Sequence, residues 1–239
     1  MTEIIAGNDS GNNEVEKPRF RVVWLVYLAL GILLLGVLSF VTFRPILVLP
    51  RITLAPGFSL TDQDGNRLTN EDMRGKITLY NITHSTCTAP CPETSLVMKD
   101  VQDQLPELDT GGLPVELVTI SVDPEHDTPQ ELRSYADSLG ADLDRWHFVT
   151  GPVERLKWVI GGGFRLYFDH MEDGRIVFDP GFMLVDSRGI LRAEYRNADV
   201  QSERILRDIG LIADEIKNGD GANKVAYEAA HLFMCYPPR

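Results

Sequence analysis

Two of the three cysteines in this 239-residue chain, Cys87 and Cys91, stand four residues apart. They lie in the run Asn81-Ile82-Thr83-His84-Ser85-Thr86-Cys87-Thr88-Ala89-Pro90-Cys91-Pro92, directly after the apolar stretch Ile77 to Ile82. On a helix, or at a helix start, side chains at that spacing share a face, so both sulfurs reach one soft metal ion or each other. That chemistry is copper binding or dithiol exchange. If Pro92 takes the first helical turn, both thiols lie near the positive end of a helix, which lowers a thiol pKa and favours the reactive thiolate. A close pair flanked by prolines, in a chain so poor in cysteine, argues against two incidental buried thiols.

Other chemistries find less support. The third cysteine, Cys235, follows His231 by four residues; the two would share a helix face, but Leu232, Phe233 and Tyr236 around them read as a segment that docks on the domain or on a membrane partner. No Gly-x-Ser-x-Gly elbow is present, and His126 and His147 have no nucleophile context. Gly161-Gly162-Gly163 follows a helical pattern and lacks the Lys-Ser/Thr of a phosphate cradle, so it reads as a helix end. The formal charge of -12, without clustered Lys or Arg, excludes a nucleic-acid partner.

The elements that must position the cysteines follow from the pattern of the chain. Residues 1–21 are polar and read as a cytoplasmic tail. Val22 to Phe43 carries no charge and is bounded by Arg21 and Arg44. As a helix it would be about 33 Å long, enough for one membrane span. It is too long for a signal-peptide core and has no small-x-small cleavage site after it. Lys17, Arg19 and Arg21 before it, against Arg44 and Arg51 after it, bias the tail inward, placing residues from about 50 onward outside the cytoplasm, in a periplasm or its equivalent. Residues 44–56 read as a tether, 57–217 as one domain and 218–239 as a C-terminal tail.

Within the domain, Phe58 to Asn66 has the alternation and Asp-Gly turn of a small hairpin. Ile77 to Ile82, Val115 to Val122 and Trp146 to Val149 read as strands. Thr94 to Leu105 and Val153 to Ile160 read as helices. Thr128-Pro129-Gln130-Glu131 has the form of a capping box opening a helix that ends at Gly140. Phe164 to Phe168 is predicted to face Arg175 to Phe178 across a turn at 171–174, and Met183 to Val185 to face Ile190 to Tyr195. Ser202 to Lys217 closes the domain as an amphipathic helix. Strands alternating with helices, then a terminal hairpin and helix, predict an α/β fold: a thioredoxin-like mixed sheet with flanking helices, preceded by one transmembrane helix.

These residues resemble the Sco/SenC family of membrane-anchored copper chaperones of cytochrome c oxidase assembly, over roughly Pro56 to Ile216. The resemblance rests on Phe58-Ser59-Leu60 with Asp64-Gly65, on Thr83 to Pro92, on Thr119 to Pro129, and on Trp146 to Gly151. It implies a thioredoxin-like domain that binds copper through Cys87 and Cys91 and a histidine on a distant loop. It also implies a copper-accepting subunit of cytochrome c oxidase as partner, with reduction of that subunit's cysteines as an alternative activity. Asp123 matches a position near the metal loop and is not expected to be a ligand. The family histidine, eleven residues before Gly189, falls on Phe178, which cannot bind a metal. The expected third ligand is therefore His170, across the turn from Arg175 and beside the thioether of Met171; His84 is the lesser candidate. Two thiolates alone suit copper(I), whereas copper(II) prefers nitrogen and oxygen donors. Thiol-disulfide exchange by the same pair needs no histidine.

Overall fold

Every residue of Ile77–Thr83 and Val115–Ser121 is buried, and a strand with no solvated face belongs in the middle of a sheet covered on both sides. Ile77–Thr83 (β4) and Val115–Ser121 (β5) pair there in parallel, register Ile77 with Val115, and Trp146–Thr150 (β6) continues the parallel set. The computed structural model describes residues 19–43, 46–87, 91–198 and 200–233. It forms two units divided after Pro45. The first contains one helix, Arg19–Phe43 (α1), in which Val22–Ser39 is long and apolar enough to cross a membrane and none of its residues is buried.

In the second unit the elements are Thr53–Leu54 (β1), Ser59–Asp62 (β2), Arg67–Thr69 (β3), β4, Cys91–Gln104 (α2), β5, Pro129–Leu139 (α3), β6, Val153–Leu156 (α4), Phe168–His170 (β7), Ile176–Phe178 (β8), Phe182–Val185 (β9), Ile190–Tyr195 (β10), Ser202–Asn218 (α5) and Lys224–Phe233 (α6). Eight strands make one mixed sheet in the order β1-β10-β9-β4-β5-β6-β2-β3, and β7 and β8 form a separate ribbon. Period-2 alternation sends Ile77, Leu79, Leu117 and Phe148 to one face, against Met98 and Val101 of α2, Leu132 of α3 and Ile205, Ile209 and Ile212 of α5. Tyr80, Ile82, Val118, Ile120 and Val149 go to the other face, with Leu156, Val159, Ile160 and Phe164. Burying each large aliphatic contributes about 1.5–3 kcal/mol. The thioredoxin-like mixed sheet with flanking helices is the fold expected from the sequence.

The helix signals read from sequence are realised at α3. Thr128 Oγ1 accepts from Glu131 N at 3.3 Å, Pro129 opens the helix, and Gly140 closes it at φ 65°. The other elements differ in four places. Residues 46–56 are not a free tether: Val48 and Leu49 are fully buried, and β1 pairs with β10. The carbonyls of Leu49 and Pro50 accept from Arg192, a guanidinium 1% exposed that also meets Asp186 and Glu215. The β9–β10 register shifts between Leu191 and Ala193, so Arg192 falls in a bulge that admits its side chain to the interior.

The C-terminal tail is likewise structured through α6. It is held by polar contacts, His231 to Glu215 at 2.8 Å and Glu228 to Arg51 at 3.2 Å, and by buried Ala230, whereas Leu232 is exposed. Leu232 therefore does not dock on the domain, which leaves a membrane partner as the other expected surface, and the side chains of Phe233 and Tyr236 fall outside the described residues. The helix after β6 widens into a π-helical turn, Lys157–Gly163, that carries the chain through the three glycines. Finally, Phe164 and Leu166 are buried core residues rather than strand partners, and the left-handed Arg165 between them, φ 57°, breaks any extended run. The ribbon therefore starts at Phe168, and His170 stands opposite Ile176, not Arg175.

Candidate metal and thiol site

Ligand-binding groups of open α/β sheets gather beyond the carboxyl ends of the parallel strands, where the connecting loops leave the sheet. In this chain the loops after β4 and β5 are neighbours because their strands are. After Thr83 the chain turns, and Cys87 N donates to the His84 carbonyl at 3.2 Å. Cys87 is half-buried and disulfide-bonded. Helix α2 begins at Cys91, with Pro92 in its first turn, as its missing N–H allows. The two cysteines therefore flank a strand-to-helix connection and do not share one helix face, because Cys87 precedes the helix. Residues 88–90 lie outside the described residues, as do the side chain of Cys91 and the whole of Cys235.

A buried carboxylate locks this turn to its neighbour. Asp127, fully buried, accepts from Ser85 N at 3.1 Å and from the hydroxyls of Ser85 and Ser121. Val122 N donates to the Thr83 carbonyl at 3.0 Å, and Asp127 N to the Asp123 carbonyl at 2.8 Å. Hydrogen bonds to a charged group contribute about 1.5–3 kcal/mol each. Asp127, Ser85 and Ser121 were not singled out from the sequence; the only signal was their place inside matched motifs.

Between these loops and the β7–β8 ribbon lies a cleft of about 430 Å³, lined by His84, Thr86 and Cys87, by Asp123 and His126, and by residues 174–177 of the ribbon. His126 Nδ1 meets both oxygens of Asp123, at 2.9 and 3.0 Å. A carboxylate only accepts, so Nδ1 carries the hydrogen and a neutral ring keeps its lone pair on Nε2. The same contact raises the His126 pKa above the ordinary value. His84 behaves oppositely. It is 9% exposed, its Nδ1 lies 3.0 Å from Thr86 Oγ1, and burial lowers its pKa despite Asp123 and Asp127 nearby.

Phe178 meets His84 edge to face, ring centres 5.8 Å apart. The position where the resemblance expects a histidine therefore does face the cysteine turn, but carries an apolar ring. His170 is half-buried and does not line the cleft. Its Nε2 donates to the Val122 carbonyl at 2.7 Å, which ties the ribbon to the loop after β5 and leaves Nδ1 as its acceptor. Among the described residues, no three His, Cys, Asp or Glu side chains group closely enough to hold a metal by themselves. A soft site here needs the Cys91 sulfur as well; with it, two thiolates and nearby imidazoles form a donor set that suits copper.

Comparison with known proteins agrees with this arrangement. A family model described as SCO1/SenC matches residues 50–213. The SCO1 protein homolog of Bacillus subtilis is 31% identical over 144 residues, covering 59% of this chain and 73% of the relative. The crystal structure of a SCO1/SenC family lipoprotein from Bacillus anthracis superposes with TM-score 0.62 at 26% identity, covering 67% of this chain and 95% of the other. That of Arabidopsis thaliana ScoI with copper bound gives TM-score 0.59 at 25% identity, covering 69% and 98%.

Proposed function

The chain belongs to the SCO1/SenC family, and on that premise we propose that it binds copper through Cys87 and Cys91 and assists assembly of the copper centre of cytochrome c oxidase, passing the ion to a copper-accepting subunit. The observation that carries this reading is the cleft in which Cys87 stands beside His84, Asp123 and His126. Copper bound in the Arabidopsis relative supports it. Copper is cargo in this reading: soft thiolates suit copper(I), and an open cleft allows a partner's ligands to approach it. The apolar helix α1 serves as a membrane anchor, with the basic residues Arg19 and Arg21 inside and the cleft in an extracytoplasmic compartment. His170, the third ligand expected from sequence, stands outside the cleft lining with Nε2 on the Val122 carbonyl, which does not favour that role.

The test is titration of the reduced full-length protein in detergent with copper(I). One equivalent should bind, and Cys87→Ser should abolish stoichiometric binding. Binding that survives Cys87→Ser rejects the reading.

The disulfide at Cys87 favours a second activity of the same residues, thiol-disulfide exchange. We take Cys91 as the partner sulfur, since the two flank a short connection. In the reduced form one thiolate attacks a partner's disulfide, displacing one partner thiolate and forming a mixed disulfide. The other thiolate then attacks that bond, so the partner leaves as a dithiol and the Cys87–Cys91 disulfide remains. Two electrons pass to the partner. A Cys87–Cys91 pair that no dithiol can reduce, or that exchanges with no disulfide peptide, rejects it.

A further inference from the structure

We propose that His126 supplies the nitrogen that completes a two-sulfur, one-nitrogen copper site with Cys87 and Cys91. This rests on the copper-binding reading above and names its third ligand.

Three histidines surround the cysteine turn, and accounting for their ring nitrogens separates them. His84 is nine-tenths buried, has Nδ1 beside Thr86 and packs its ring against Phe178, so reaching an ion in the open cleft would require it to leave that packing. His170 lies outside the cleft lining with Nε2 on a backbone carbonyl; moving it would break the ribbon's hydrogen bond to the loop after β5. His126 lines the same cleft as Cys87, and its side chain is 69% exposed. Its Nδ1 is held by Asp123, so the lone pair of a neutral ring is on Nε2.

A second observation independently marks the ring as a ligand. Asp123, 4% exposed, gives both carboxylate oxygens to Nδ1. A carboxylate-bound imidazole has its tautomer and orientation fixed, and its other nitrogen is made more basic; metal-ligating histidines are held in this way. Asp123 is itself steadied by its N–H on Ser121 Oγ at 3.0 Å, and Ser121 Oγ donates in turn to Asp127, which also holds Ser85. One buried hydrogen-bond chain thus runs from the cysteine turn to the His126 ring. The two loops cannot drift apart without breaking it, so Cys87 and His126 are kept in the lining of one cleft. Asp123 is then a positioning residue.

The experiment uses the full-length protein in detergent, reduced with a phosphine, loaded with one copper(I), and read by X-ray absorption and by competition with a chromogenic copper(I) chelator. Wild type should give two sulfur scatterers and one nitrogen. His126→Ala should lose the nitrogen and weaken binding by about tenfold or more, with an unchanged circular dichroism spectrum because the side chain is exposed. Asp123→Asn should keep the nitrogen but weaken binding about 10- to 100-fold, the usual effect of removing a group that orients a ligand. His170→Ala should change neither. The proposal is overturned if His126→Ala keeps both nitrogen and affinity, or if His170→Ala or His84→Ala removes the nitrogen instead. Failure of the wild type to bind copper overturns the copper reading itself, so the two failures are distinct.

Discussion

Asp127 makes the sharpest prediction, because one buried carboxylate joins the loop that carries Cys87 to the loop that carries His126. Asp127→Ala removes an acceptor for Ser85 N, Ser85 Oγ and Ser121 Oγ. Ser85 is half-buried, so its two donors regain water and the net loss there is near the lower end of the range for charge-assisted bonds, about 1.5 kcal/mol. Ser121 is 1% exposed, and a hydroxyl stranded there costs about 1–3 kcal/mol. The expected destabilisation is about 2.5–4.5 kcal/mol, against a total of about 5–15 kcal/mol for an ordinary domain, so the variant should fold but melt earlier. For a body of this size the shift is about 10 °C. Thermal unfolding of the detergent-solubilised chain, followed by near-ultraviolet circular dichroism of buried Trp146, measures it. Alkylation of reduced Cys87 should also accelerate, since its turn loses its anchor. A change below about 1 kcal/mol would show that the cysteine turn is held by something else, and the rigid cleft lining assumed for the metal site would lose its support.

The remaining predictions address the core, one turn and the histidines. Arg192→Ala leaves Asp186 buried without its cation and Glu215 with only Arg51 and His231, and should destabilise by about 3–5 kcal/mol in chemical denaturation; a near-neutral effect would mean that water reaches the cluster. Gly189→Ala forces a side chain onto a φ of +80°, with its Cβ about 3.0 Å from Arg74 Nη1, and should lower stability by about 1–2 kcal/mol in the same assay. By NMR, His126 should titrate above the ordinary imidazole value of 6.5 and return toward it in Asp123→Asn. Its folded pKa is raised, so the Asp123 contact stabilises most below the ordinary value and fades as pH rises through the folded one. His84 should do the reverse: its pKa is lowered, so stability falls as pH drops below 6.5, where the unfolded chain takes a proton that the buried ring resists. A His84 resonance titrating above 6.5 would contradict its burial.

Much of this architecture could be read from local patterns. The runs Ile77 to Ile82 and Val115 to Val122 read as strands because apolar residues dominate them, and Thr128-Pro129 with Gly140 marked both ends of α3. What escaped was non-local. Residues 46–56 look like a linker by composition, and only Arg192, far along the chain, accounts for their burial. The ribbon was misplaced by four residues at its start because Phe164 and Leu166 alternate like a strand, although Arg165 takes a conformation no strand contains. At the site, the cysteines announced themselves, whereas His126 showed only that it lacked a nucleophile context, and its contact with Asp123 came from the fold. Three-residue spacing in a turn carries no signal of that contact; only the fold does.

Arg51 and Glu228 touch across 177 positions of sequence, through a link 3.2 Å long. The beginning and end of the folded body are therefore neighbours, and the backbone is nearly a closed ring. A short glycine-serine bridge from the end of α6 back to residue 46 should permit new ends to be cut elsewhere, for example at the exposed Asp173–Gly174 tip, with the order of the eight strands intact.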